Sequence, residues 1–391
     1  MSTNSRRRNI VLVTGYDYTR LDSQESMRSF TRVARARCAE TFSRSPRNQA
    51  VRLYGGSVRV VMMDFASGIV SAIEQNATGE VREETIARYA PITPANYEWR
   101  RPGRWVFCQH TNGVMSILDV YDFVREVGRR EPGTLVELSF FCHGWAGGPT
   151  LVNSDDTIER STSRPAREDD PRDPLDKDGR RFKDFRLPTM SPEDLALMRR
   201  AFCDGGYLWN WSCNNSLASS DVLYQAVRND PSPLEQATDP DRRLHFTFTH
   251  HEQSAYFNVD PNFFPRTVRS AVEQLLFDRS ILEVATFLWG RILATYNAQA
   301  ALALGKCCFG ALPGTTSDLE RSGRFPQMVV PHSPGYAENL LNELRFYEKH
   351  MDIGFDLEGR RFGEYRPEVL QQVMHRARRP TGIRPAISPV I

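Results

Sequence analysis

The chain has 391 residues, 40% of them hydrophobic and 25% charged, a balance that suits a globular protein with one large core and an appended part. A formal net charge of +2 gives no overall attraction to nucleic acid or to an anionic membrane, and neither is expected as a partner. The seven cysteines are odd in number and scattered, so they set no disulfide framework and fit a reducing, cytoplasmic compartment.

The opening MSTNSRRRNIVLVTG has an apolar run too short for a signal peptide, which leaves export without a leader open. NIVLVTGY (9–16) is a β-branched run ending near glycine and reads as a buried strand. SFTRVARARCAETF (29–42) suits a helix, and SVRVVMMDF (57–65) a second strand. In the next helix, Ile117, Leu118, Tyr121, Val124 and Val127 share one face, and Pro132 and Gly133 end it. TLVELSFF (134–141) is a third strand. Residues 153–184 are dense in charge and proline and cannot supply core. They predict an exposed, mobile insertion reaching to about residue 190, a place for partner binding or proteolytic processing. Order returns at SPEDLALMRRAFCDGG, where Ser191 caps a helix, Pro192 opens it and Gly205 closes it. YLWNWS (207–212) is a fourth strand, SLASSDVLYQAVRND a helix and LHFTFTHH (244–251) a fifth strand. From about residue 261 the pattern turns helical, through RTVRSAVEQLLF and ILEVATFLWGRILATYNAQAALAL. Arg291 and Asn297 mark the second of these as a buried or amphipathic helix rather than a membrane span.

Strands alternating with helices predict an α/β fold, a mostly parallel sheet flanked by helices in three layers, over residues 1–260. A helical C-terminal extension and a polar tail fill residues 261–391. In such sheets function collects at the carboxyl ends of strands. The predicted ends bring forward Tyr16 and Asp17, His143 and Gly144, Ser212 to Asn214, and His250 to Glu252. A cysteine nucleophile needs a base for its proton and donors for the oxyanion it creates. His143 and Cys213 end consecutive predicted strands. Gly144 has no side chain to block a substrate carbonyl, so its N–H can serve the oxyanion, with the Cys213 N–H as second donor. The helix start after Cys213 favours its thiolate. Each residue also has a bland reading, His143-Gly144 as a turn and Cys213 as packing. Cys142 reads as core. Asp17 reads as a turn cap, or else as a group for a basic substrate.

This constellation resembles the caspase-like cysteine peptidases, the group that includes caspases, metacaspases, gingipains and separases. The resemblance lies in SFFCHG and WNWSCNNS and covers residues 9–260. In that family a histidine followed by glycine ends one strand and the cysteine ends the next. The resemblance implies a peptidase acting on protein or peptide substrates without a cofactor, with His143 as general base and acid and Cys213 as nucleophile. Gly144, Asp17, Trp211 and Ser212 make up the expected oxyanion and substrate-binding set. Metacaspases carry an acidic residue two before the cysteine, where Trp211 stands here, and the caspase QACRG pattern is absent, so no P1 preference carries over. WAGG after His143 is expected to form a flexible wall of the cleft.

Two other readings compete. HGWAGG also resembles the oxyanion loop of α/β-hydrolase esterases, with His250 or His251 as base. That fold needs a nucleophile elbow, and WSCNN lacks its flanking glycines. A caspase-like fold can also persist as a non-catalytic binding module. No carboxylate–histidine spacing supports a zinc site at His250 and His251, so no metal is expected.

Overall fold

The computed structural model describes residues 7–19, 21, 29–43, 57–75, 80–101, 104–108, 111–155, 171–214, 217–228, 239–249, 274–319, 325–329 and 338–378. An eight-stranded sheet organises them. Its strands in chain order are β1 (Arg8–Thr14), β2 (Val58–Asp64), β3 (Ile69–Gln75), β4 (Val81–Arg88), β5 (Leu135–Phe141), β6 (Phe202–Asn210), β7 (Cys308–Gly310) and β8 (Gly363–Tyr365). In space the order is β8-β7-β6-β5-β1-β2-β3-β4. The five central strands, from β7 through β6, β5 and β1 to β2, run parallel; at the edges β3 pairs antiparallel with β2, β4 antiparallel with β3 and β8 antiparallel with β7.

The central strands are apolar because both their faces are covered. Alternate residues of β1 enter different cores. Val11 and Val13 join Leu138 and Phe140 of β5 under the helix α2 (Ile117–Arg130), whose Val120 and Val124 face them. Ile10 and Leu12 join Val136 and the Val33, Ala34 and Cys38 side chains of α1 (Ser29–Phe42) on the opposite face. On the α2 side, α3 (Pro192–Ala201) packs close, because a Cβ at Gly128 would lie 1.9 Å from the Leu197 carbonyl oxygen. Besides a single turn at Arg181–Asp184, the other α-helices among the described residues are α4 (Leu217–Arg228), α5 (Ile281–Leu293), α6 (Tyr296–Leu304), α7 (Glu338–Met351) and α8 (Pro367–Arg378). Among the described residues, no helix is long and apolar enough to cross a membrane.

Helices and sheet agree with the expected three layers, but the chain builds the sheet differently from the prediction. Arg243–Thr249 does not join it. It pairs with Gln274–Ser280 as a separate antiparallel hairpin, and Gln274–Ser280 itself replaces part of an expected helix. Its alternating LHFTFT pattern fits one covered face, whereas a central parallel strand is covered on both. The position beside β6 goes to Cys308–Gly310, too short for a periodic signal. The sheet therefore takes β7 and β8 from the C-terminal third, across the boundary expected near residue 260. Gly205 does not close α3. It sits within β6 at a φ of 73°, where the pairing with β5 shifts register. The expected long helix over 281–304 breaks after α5, where the Thr295 hydroxyl accepts the Ala298 N–H at 3.2 Å and caps α6.

Candidate active site

The carboxyl ends of β1, β5 and β6 lie side by side, since β5 is flanked by the other two. After β5 comes Cys142, buried against Gly15, and then His143–Trp145. That stretch turns back as a hairpin on Gly148–Thr150, with His143 opposite Thr150. The hairpin end is held at two points. The Ala146 carbonyl accepts the Tyr296 N–H at 2.9 Å, and the Gly147 carbonyl accepts the Arg181 N–H at 2.7 Å. WAGG is thus an anchored turn and not the flexible wall that its glycines predict.

His143 is half-buried, and its Nε2–H donates to Asp17 Oδ1 at 2.8 Å. Asp17, only 4% exposed, also accepts the Thr19 hydroxyl at 2.6 Å, the Thr19 N–H at 3.3 Å and the Ser29 hydroxyl at 3.0 Å. Burial would raise its carboxyl, but the bonds from His143, Thr19 and Ser29 outweigh burial and hold it at about 2. An ionised carboxylate only accepts, so the neutral ring keeps its proton on Nε2 and its lone pair on Nδ1. Tyr18 and Phe30 pack the ring, with centroids 4.8 and 5.0 Å away. Asp17 does cap its turn, as expected, and in addition orients the histidine, a role the sequence reading did not assign. Thr14 pairs with Phe141, so a polar residue three beyond β1 meets one two beyond β5. That neighbour relation was the available signal.

Cys213 follows β6, half-buried, with its Sγ accepting the Ser317 N–H at 3.3 Å. The S–H is 3.8 Å from the Ser317 carbonyl oxygen. Gly144 brings the two motifs into contact. A Cβ there would fall 2.0 Å from Ser212 Oγ and 3.2 Å from the Cys213 carbonyl oxygen, so no larger residue fits between them. The Tyr18 phenol registers both halves of the site: burial first, then Asp178, Cys142, Asp17 and Cys213 raise it above its ordinary range.

Two expected substrate-binding residues belong to the core instead. Trp211 is 2% exposed, stacks on Trp209 at 4.3 Å and on Phe141 at 5.0 Å, and donates its indole N–H to Ser139 Oγ at 3.1 Å. At the end of a strand, alternation sends its side chain into the α1-side core. Ser212, 1% exposed, donates to Asn210 Oδ1 at 2.7 Å and forms the floor on which Gly144 rests. His250, His251 and Glu252 lie outside the described residues. Among those described, no group of three or more His, Cys, Asp or Glu side chains could hold a metal ion.

The charged insertion differs most from its expectation. Residues 156–170 lie outside the described set, but 171–190 are described, and Arg172, Asp176, Asp178, Arg180 and Asp184 are buried. Burial of so much charge holds because each group is ion-paired or hydrogen-bonded. Arg172 pairs with Asp184 and Arg180 with Asp176. The Tyr121 hydroxyl donates to Asp184 at 2.7 Å. Asp178 accepts the N–H groups of Leu151, Val152 and Ser154 at 2.7, 2.8 and 2.7 Å. Those three residues directly follow the histidine hairpin, so the segment braces it from behind.

The geometry defines a cysteine and an aspartate-oriented histidine at neighbouring strand ends of a mostly parallel α/β sheet. Compared with family models, with curated proteins and with solved structures, the chain matches none.

Proposed function

We propose that the protein is a cysteine peptidase of the caspase-like kind, acting on protein or peptide substrates. The observation that carries this reading is the contact of Gly144 with Ser212 and Cys213 beside the His143–Asp17 pair. It joins the two short motifs on which the resemblance rests, each at the end of its own strand.

In this reading the lone pair on His143 Nδ1 takes the Cys213 proton, and the thiolate attacks the scissile carbonyl carbon. The oxyanion accepts hydrogen bonds from the N–H groups of Gly144 and Cys213. Collapse expels the amine, which takes its proton from the imidazolium. Water, deprotonated by the same histidine, then releases the acyl group and restores the thiol. Asp17 holds the ring and its positive charge through Nε2 and stays ionised throughout. A reducing, cytoplasmic setting, which keeps the nucleophile a thiol, belongs to the same reading.

A thiol-directed covalent peptide inhibitor tests it, with the adduct located by mass spectrometry. The expected outcome is labelling of Cys213 that disappears in His143→Ala, and peptide hydrolysis abolished by either substitution. Ester hydrolysis that survives Cys213→Ala would favour a hydrolase of another kind. Neither labelling nor hydrolysis would favour a binding module.

A further inference from the structure

The contact between Cys213 and Ser317 comes from a part of the chain in which no site was expected. Ser317 lies on the strand Thr316–Leu319, which pairs antiparallel with Pro326–Val329 and sets Ser317 opposite Met328. Along an antiparallel strand, the N–H and C=O of one residue point the same way, either into the ladder or out of it. Both groups of Ser317 address Sγ, the N–H at 3.3 Å and the carbonyl oxygen at 3.8 Å. Ser317 is therefore an outward position, and its N–H owes no bond to Met328. The approach is fixed by an adjoining bridge between Asn214 and Thr315. The Asn214 N–H donates to the Thr315 carbonyl at 3.1 Å, and the Gly314 N–H donates to the Asn214 carbonyl at 3.0 Å.

A main-chain N–H aimed at sulfur binds a thiolate more strongly than a thiol, while a carbonyl accepts only from the protonated form. The donor is the nearer of the two. Other titratable groups around Cys213 are the His143–Asp17 pair beyond Gly144, the Tyr18 phenol and the Cys142 thiol, with Asp178 behind the last two. Burial and nearby negative charge keep Tyr18 and Cys142 neutral, so neither supplies positive charge to the sulfur.

We propose that the Ser317 main-chain N–H is a further catalytic group, holding Sγ in place and favouring its thiolate alongside His143. Its carbonyl receives the proton-bearing thiol and repels the thiolate, so ionisation loosens one contact and tightens the other. The consequence for turnover rests on the peptidase reading, whereas the effect on ionisation does not.

The test reads ionisation directly. Ser317→Pro deletes this N–H and, at an outward position, no ladder bond. Iodoacetamide labelling of Cys213, followed by mass across pH, is expected to reach half its maximum about one pH unit higher than in the wild type. An unmoved midpoint in a variant that melts like the wild type overturns the proposal. Should the proline variant fail to fold, the wild-type protein decides. By NMR, the Ser317 amide proton is expected to shift downfield as Cys213 ionises and to exchange faster with solvent in Cys213→Ala. A Ser317 amide that neither titrates with the thiol nor changes its exchange rate overturns the proposal. Neither readout involves peptide hydrolysis, so failure of the peptidase reading shows separately.

Discussion

Asp17 shows how much one side chain gathers at this site. Its carboxyl lies at about 2, below the ordinary 3.8, because His143, Thr19 and Ser29 donate to the ionised form and outweigh burial. A folded value below the unfolded one means that the folded state favours the charged form. The resulting stabilisation is complete above about pH 5 and is lost as pH falls through 3.8 towards 2. At 1.36 kcal/mol per unit it amounts to about 2 kcal/mol. Urea unfolding of the wild type should therefore lose about 2 kcal/mol more than Asp17→Asn between pH 6 and pH 2. Parallel pH profiles would remove this account. In the peptidase reading, Asp17→Asn also presents an amide where Nε2–H needs an acceptor, and the ring can turn or change tautomer. Peptide hydrolysis is then expected to fall about 10²- to 10⁴-fold in kcat, with KM little changed. A matching loss in KM alone would place Asp17 in substrate binding instead. The sequence offered Asp17 as a strand-end residue, but the partner that explains it is 126 positions away.

At the scale of elements, two glycines mark where backbones meet, and neither is explained by its own helix or strand. Gly128 lies inside α2, where alanine would normally favour the helix by about 1 kcal/mol. Here the added Cβ meets the Leu197 carbonyl of α3 at 1.9 Å, a backbone atom that cannot swing aside. Overpacking of this kind costs about 1–3 kcal/mol, so Gly128→Ala should lower the melting temperature despite the better propensity. A rise in melting temperature would show that the helices separate freely. Gly144→Ala drives a methyl into Ser212 Oγ at 2.0 Å and parts the His143 hairpin from the Cys213 loop. Labelling of Cys213 by the peptide inhibitor should slow at least tenfold while far-ultraviolet circular dichroism stays unchanged; undiminished labelling would mean the contact is incidental. Helix α1 spans the residues the sequence gives it, and α2 ends just ahead of Pro132 and Gly133, because apolar period and helix breakers are local signals. Which strands enter the sheet is not local. LHFTFT has the stronger strand pattern, yet the three residues Cys308–Gly310 take the place beside β6.

Across the whole molecule, buried ion pairs tie distant segments together. Arg37 of α1, fully buried, donates to Glu137 of β5 at 2.9 Å and to Glu358, just before β8, at 2.7 Å. Removing the cation alone takes the ion pair from the buried Glu137 and leaves Glu358 with Arg360, so Arg37→Met is expected to cost about 3–5 kcal/mol by chemical denaturation. Replacing Arg37, Glu137 and Glu358 together by apolar residues should cost much less, and an equal cost would show that shape, not charge, sets the penalty. The same physics accounts for residues 171–184, where charge density alone predicts exposure. The layered α/β class and the strand ends that carry His143 and Cys213 are legible in the sequence alone. Those follow from period, capping and turn chemistry within a few residues. Tertiary structure alone decided that Asp17 faces His143, that Ser317 reaches Cys213, that Trp211 and Ser212 turn inward, and that a run of Arg and Asp can be core. Each of these depends on a partner far along the chain, and the energy of a polar or charged group is set by the partner it meets.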